Sequence, residues 1–246
     1  MIVRTALKAL QKGFLKFGID VRRFNPVVSA PHRRAAILRS LGVTHVIDVG
    51  ANIGQYGSEL RALGFDGEIL SFEPMPREFA ILVATSKSDL HRTPMQVAVS
   101  DFDGETTFHV TTNSVASSLL APVSTQISED IDTRVAHKIN VTVRRLDAVA
   151  LPRLPEDARV FLKVDAQGSE MEVLDGAASL FEKCVAIELE VSVVPLYDGQ
   201  VSGLELLAYM QQRGWTAISF NAECVHPRTM MVLQNDVLFV RSELVG

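Results

Sequence analysis

Cysteine is scarce: Cys184 and Cys224 are the only two in 246 residues. Two cysteines make no disulfide framework, and they fit a reducing, cytoplasmic setting. Long apolar runs are missing as well, since none approaches the roughly 18 residues of a membrane span. Near the start, Lys8, Lys12 and Lys16 break up any apolar stretch of signal-peptide length, so no secretory signal is expected. There is no solenoid-length repeat and no low-complexity tract. No HExxH and no clustered His/Cys pattern is present, which removes support for zinc, and no metal site is expected. A basic surplus is also lacking. The 24 Lys and Arg stand against 29 Asp and Glu, a net charge of −5, which argues against a nucleic-acid partner.

What remains is globular. Hydrophobic residues make up 47% and charged residues 22%, which excludes a mainly disordered chain. The length allows one large domain or two small ones. Charge is unevenly spread: residues 1–40 carry +8 and the remainder −13. Residues 2–17 read as an amphipathic helix. Val3, Ala6, Leu7, Leu10, Phe14 and Phe17 form one stripe, and Arg4, Lys8, Lys12 and Lys16 another. Such a helix packs on the domain or on a second subunit, or gives weak contact with the cytoplasmic face of an anionic membrane. A second helix is expected over Pro31–Leu41, with Pro31 in its first turn and Gly42 at its exit. Residues 1–43 are read as a helical extension and 44–246 as the main domain.

From residue 44, short apolar runs alternate with helical patterns. Strands are expected at His45–Val49, Glu68–Phe72, Met95–Val99, Val160–Val164, Val185–Leu189, Thr216–Phe220 and Asp236–Val240. Helices are expected at Gln55–Leu63, Arg77–Lys87, Glu170–Phe181 and Gly203–Arg213. The alternation predicts an α/β fold, a seven-stranded, mostly parallel sheet covered on both faces. No helical pattern separates the last two runs, so the final strand is expected to be antiparallel. Residues 100–146 interrupt the pattern with strands at Glu105–Val110 and Ile139–Arg145, an insert of the kind that shapes a substrate pocket.

The strongest motif is VIDVGANIGQYG, residues 46–57. A buried strand ends in Asp48 and runs through Gly50, Asn52 and Gly54 into a helix start. Glycine there lets backbone approach a ligand, and the helix start offers free N–H groups. A second strand ends in Glu73, within SFEPMP, where an acid can accept both ribose hydroxyls of a nucleoside. The pair predicts a nucleoside cofactor. Asn52 stands where a dinucleotide motif has its middle glycine, and Asp48 would repel a pyrophosphate. An acid instead suits a cationic ligand such as S-adenosylmethionine.

Five blocks in order, VIDVGANIGQYG, GEILSFEP, AVSDFDGE, FLKVDAQGSEMEVLDGA and IELEVSVVPLYDG, resemble the FkbM family of S-adenosylmethionine-dependent methyltransferases. The resemblance covers about residues 44–241. It implies the Rossmann-like class I methyltransferase fold and methyl transfer to a hydroxyl, usually of a sugar or polyketide. The chain departs from the family at Ser169, usually a bulkier residue, and at Val191, which bears on substrate-side contacts. An NAD- or nucleotide-sugar-dependent oxidoreductase and a non-catalytic cofactor-binding module are the alternatives. The N/D-P-P-Y/F tetrapeptide of amino-methylating enzymes is absent.

On this reading Asp48, Gly50, Asn52 and Gly54 cradle the methionine end of S-adenosylmethionine and Glu73 holds the ribose. Ser100 and Asp101, at the end of the third strand, border the adenine. Asp165 is a candidate base, metal ligand, cofactor-orienting group or helix cap. Glu188 and Glu190 share one face of a strand. Glu190, nearer the strand end, joins Asp165 as a catalytic candidate. His109 and His137 lie in the insert, within possible reach of the substrate. Cys184 and Trp215 read as core. The expected partner is a glycan or small-molecule acceptor.

Overall fold

The computed structural model describes residues 10–21 and 24–245. Seven strands form the main sheet, in the order β3-β2-β1-β7-β8-β10-β9. They are β1 His45–Val49, β2 Glu68–Phe72, β3 Arg92–Met95, β7 Val160–Val164, β8 Cys184–Ser192, β9 Trp215–Val225 and β10 Val232–Arg241. The five strands from β3 to β8 are parallel. β10 runs antiparallel to both β8 and β9, as the missing helix predicts. This is the Rossmann-like class I methyltransferase arrangement.

The strands alternate their side chains between two cores. Ile47, Val49, Leu162 and Val164 pack with Val173, Leu174, Leu206 and Met210 from the helices Glu170–Asp175 and Gly203–Gln212. Val46 and Phe161 face the other way, toward Leu38 and Leu60. These last two come from the helices Ala30–Ser40 and Gln55–Ala62. Leu38 is therefore core, and Arg34 on the same helix pairs with the buried Glu188 at 3.0 Å. The helix Ala30–Ser40, within the extension read over residues 1–43, thus packs on the main sheet through Leu38 and Arg34.

The third strand departs from expectation. β2 pairs with Arg92–Met95, not with Met95–Val99. The Val97 N–H turns back to the Met95 carbonyl at 3.1 Å, and the chain leaves the main sheet there. Ala98–Ser100 becomes β4 of a separate sheet, beside β6 Val135–Arg145 and then β5 Gly104–Thr111. The apolar VAV run stays buried: Ala98 packs with Phe108, Val141 and Val143 of the second sheet, while Val97 and Val99 join the main core.

Of the helix expected over 2–17, residues 2–9 lie outside the described residues. Residues 10–15 are helical. Leu10 is 56% exposed and Phe17 81%, so this part of the apolar stripe does not pack on the domain. Among the described residues no helix is long and apolar enough to cross a membrane.

Candidate active site

Two adjoining cavities open at the carboxyl ends of the parallel strands. The first is about 640 Å³ with its mouth included. Its polar floor begins where β1 turns into the helix Gln55–Ala62. Gly50 has a φ of +77°, and a Cβ there would lie 1.9 Å from the Asp165 carbonyl oxygen. Only glycine fits between the two strand ends. Asn52 is left-handed too, at φ +47°, and its N–H donates to Glu73 Oε2 at 2.8 Å. The Met75 N–H donates to Glu73 Oε1, also at 2.8 Å. Glu73 is thus fixed at both oxygens, buried, and part of the cavity wall. Burial pushes its carboxyl up to about 7, against the pull of the Met75 and Asn52 N–H groups. Beyond it the wall is apolar: Phe72, Met75, Val97, Val99 and Phe108 form a slot.

Gln55, Val115, Asp165 and Gln167 line both cavities. The second, about 770 Å³ on the same measure, continues past them to Asn113, Glu190, Tyr197, Glu223 and Gln234. Its centre is a clamp. Gln167, left-handed at φ +52°, donates from Nε2 to Asp165 Oδ1 at 2.7 Å and to Glu190 Oε2 at 2.9 Å. The Tyr197 hydroxyl donates to Gln167 Oε1 at 2.8 Å, which fixes the way the amide points. Gln234 Nε2 also donates to Glu190 Oε2, at 2.6 Å. Gly168 lets the turn pass close to Tyr197, since a Cβ there would meet the ring at 2.9 Å.

Below the cavities runs a buried charged row. The register aligns Ser71, Asp48, Lys163 and Glu188 across β2, β1, β7 and β8. Lys163 Nζ lies 3.1 Å from Asp165 Oδ2 and 3.8 Å from Asp48 Oδ1. Burial disfavours its ammonium, but Asp165 and Asp48 outweigh that and hold it charged. Burial pushes Asp48 above its ordinary value, with Lys163 and Arg92 pulling it back. Burial raises Glu190 as well, and Asp165, Glu170 and Asp236 add to the effect.

The predicted residues therefore divide. Gly50, Asn52, Glu73 and Asp165 line the first cavity, and Asp165 and Glu190 the second. Asp48 lies fully buried beneath the floor, paired with Lys163, and lines neither cavity. Gly54 caps the helix, its carbonyl accepting from Arg92 at 3.0 Å. Ser100 and Asp101 follow β4 away from the cavity and pack on Gly176, where a Cβ would meet the Ser100 oxygen at 2.0 Å. Val97 and Val99 take the wall position expected of them. Ser169 and Val191, the two family departures, are buried and line neither cavity. His109 and His137 line neither cavity, and His226 is buried against Asp130 at 3.0 Å. Cys184 and Trp215 are core, as expected. Sequence reasoning missed Gln167, Tyr197, Glu223 and Gln234. The first two stand inside the quoted DAQGSE and VPLYDG blocks.

The family model of the methyltransferase FkbM domain matches residues 48–215. A 2-O-methyltransferase, NoeI, from Sinorhizobium fredii is 27% identical over 203 residues, 79% of this chain and 82% of that protein. Solved structures include an rRNA methylase from Streptococcus thermophilus, with TM-score 0.47 and 10% identity over 90% of this chain and 99% of that one. Another is magnesium protoporphyrin IX methyltransferase from Synechocystis PCC 6803, solved with bound SAM, with TM-score 0.45 and 12% identity over 86% and 78%. These two likenesses are too weak to carry an argument. The family match spans well over half of the sequence: the chain belongs to the FkbM methyltransferase domain family.

Proposed function

We propose that the chain is an S-adenosylmethionine-dependent O-methyltransferase whose acceptor is a hydroxyl of a sugar or of a glycosylated or polyketide-type small molecule. The observation that carries this reading is the junction at Asp165, where a cavity walled by Glu73 and an apolar slot opens into a polar one. The first cavity fits the cofactor chemically. Glu73 is a fixed acceptor for a ribose diol, the apolar slot suits a purine, and Asp165 offers negative charge toward a sulfonium. When bound, S-adenosylmethionine supplies an electrophilic methyl group.

The chain's own residues do the remainder. Glu73 orients the ribose through oxygens already held by two backbone N–H groups. Lys163 and Gln167 hold the two oxygens of Asp165, so the carboxylate is aimed before any ligand arrives. Asp165 would accept the proton that the acceptor hydroxyl gives up when the methyl group passes from the sulfonium sulfur to its oxygen and leaves S-adenosylhomocysteine. Glu190, held at Oε2 by the Gln167 and Gln234 amides, is a hydrogen-bonding partner for the acceptor.

Calorimetry with S-adenosylmethionine and with NADH tests the cofactor half of this reading. Saturable binding of S-adenosylmethionine and none of NADH is expected. The reverse result would reinstate an oxidoreductase. Formation of S-adenosylhomocysteine with a hydroxylated acceptor, and none without it, tests the other half.

A further inference from the structure

The second cavity carries three carboxylates, Asp165, Glu190 and Glu223, and no basic side chain on its wall. Among the described residues only Asp165 has a cation within ion-pair reach, Lys163 at 3.1 Å. Glu190 is only 5% exposed. Both amides that reach it donate to Oε2. Its Oε1 has no hydrogen-bond partner among the described residues, although the side chain lines the cavity. Glu223, on β9, is exposed at the rim.

The surroundings add more negative charge. Asp236 stands opposite Glu190 in the β10–β8 register. Glu170 begins the next helix and accepts from the Gly168 and Ala166 N–H groups at 3.1 Å. Burial pushes both carboxyls up to about 7, so this end of the sheet already holds protons to limit its own repulsion. A bound cation would relieve the same repulsion. No group of three or more His, Cys, Asp or Glu is placed to hold a metal ion among the described residues. That favours an ammonium over a divalent cation. Asn113, Gln167 and Tyr197 supply the neutral polar contacts that a hydroxylated ring needs.

We infer that the acceptor is an amino sugar in chemical class, with its ammonium between Glu190 and Glu223 and its reacting hydroxyl at Asp165. The inference rests on the acceptor reading of the second cavity and adds the charge of the substrate to it. Phosphorylated or carboxylated sugars meet the same wall with repulsion.

The test uses matched ligands. The β-linked glucosamine disaccharide and its N-acetylated form share ring and remaining hydroxyls but differ in charge. Both are titrated into the full chain by calorimetry in mildly acidic buffer, where the amine is charged, with and without S-adenosylhomocysteine. The amino form is expected to bind roughly tenfold tighter. Glu223→Gln, an exposed change, is expected to remove most of that preference. Equal affinities, tighter binding of the N-acetylated form, no binding of either, or a preference that survives Glu223→Gln each overturn the inference. S-adenosylhomocysteine binding in the same samples separates the causes. If it binds and no sugar preference appears, the inference alone fails. If it does not bind and no preference appears, the cofactor reading fails as well.

Discussion

The two cavities meet at Asp165 and are built in opposite ways. The first is made from backbone turns and apolar walls, its floor from residues 49–55 and 72–75 and the rest of its wall from residues 97–99, 108–119 and 165–167. The second is made from side-chain amides and carboxylates drawn from widely separated segments, residues 113–116, 131–133, 190, 196–197, 223–224 and 234. The second cavity draws on the β9–β10 hairpin and the end of β8, which contribute nothing to the first, as well as on the insert, which lines both.

The sharpest way to break this contrast is at Gly50 in the first cavity, whose backbone packs against Asp165, a residue that lines both. Gly50→Ala puts a methyl group against the Asp165 carbonyl in a left-handed conformation. It is expected to destabilise the fold by about 4 kcal/mol or more and to damage both sites. Urea denaturation checks it, and a near-neutral result would mean the strand ends are looser than described.

Asp165→Asn is expected next. Turnover should fall roughly 100-fold, the scale of a lost general base, while S-adenosylmethionine affinity changes little. Undiminished turnover would leave Asp165 a structural partner of Lys163 and Gln167. In the first cavity, Glu73→Ala should weaken S-adenosylmethionine by about 2 to 3 kcal/mol through lost charge-assisted hydrogen bonds. Acceptor affinity in the absence of cofactor should stay unchanged, and calorimetry reads both.

These residues also mark what was legible in the sequence. One local motif placed Gly50 and Asn52 on the wall of the first cavity, and the end of the next strand placed Glu73 there. The strands of the main sheet, though not their order, followed from the alternation of runs, except at β3. There Arg92 and Pro94 do not look like strand residues, and the apolar run after them leaves the main sheet, Ala98 packing under the second sheet while Val97 and Val99 stay in the main core. Asp48 misled for a related reason. An acid in an apolar strand reads as a ligand contact, whereas its partner Lys163 becomes visible only through the β1–β7 register. Gln167 stood in view within DAQGSE, but its left-handed turn and the clamp it makes on two carboxylates depend on Tyr197, thirty residues away.

A smaller effect concerns pH. Glu73, Glu170 and Asp236 lie near 7 in the folded chain, above the ordinary carboxylate range. The native state keeps protons there that the unfolded chain releases. Their contribution is therefore fullest at acidic pH and is lost as pH rises toward 7. His45, held below its usual value by burial, works the other way, one group against three. The ligand-free Tm is expected to be higher at about pH 5.5 than at about pH 8. Cofactor affinity should move oppositely and rise through about 7, because ionised Glu73 accepts both ribose hydroxyls. A Tm that climbs over this interval would contradict the assignment.

The smallest effect is expected from removing residues 1–24. None of the described residues among them lines either cavity, and S-adenosylhomocysteine affinity is expected not to change. The exposed Leu10, Leu15 and Phe17 lie beside Lys12 and Lys16, a composition suited to weak, salt-sensitive contact with anionic lipid. Co-sedimentation with anionic vesicles should be lost on truncation, and equal sedimentation of both forms would sink that idea.

The central claim is that one cavity holds the methyl donor and points it at Asp165. A crystal structure with S-adenosylhomocysteine measures this directly. The account predicts the ribose diol on Glu73, the base between Phe72 and Val97, and the sulfur facing the Asp165–Gln167 wall where the second cavity begins. A ribose held away from Glu73, or a sulfur turned from Asp165, would contradict it.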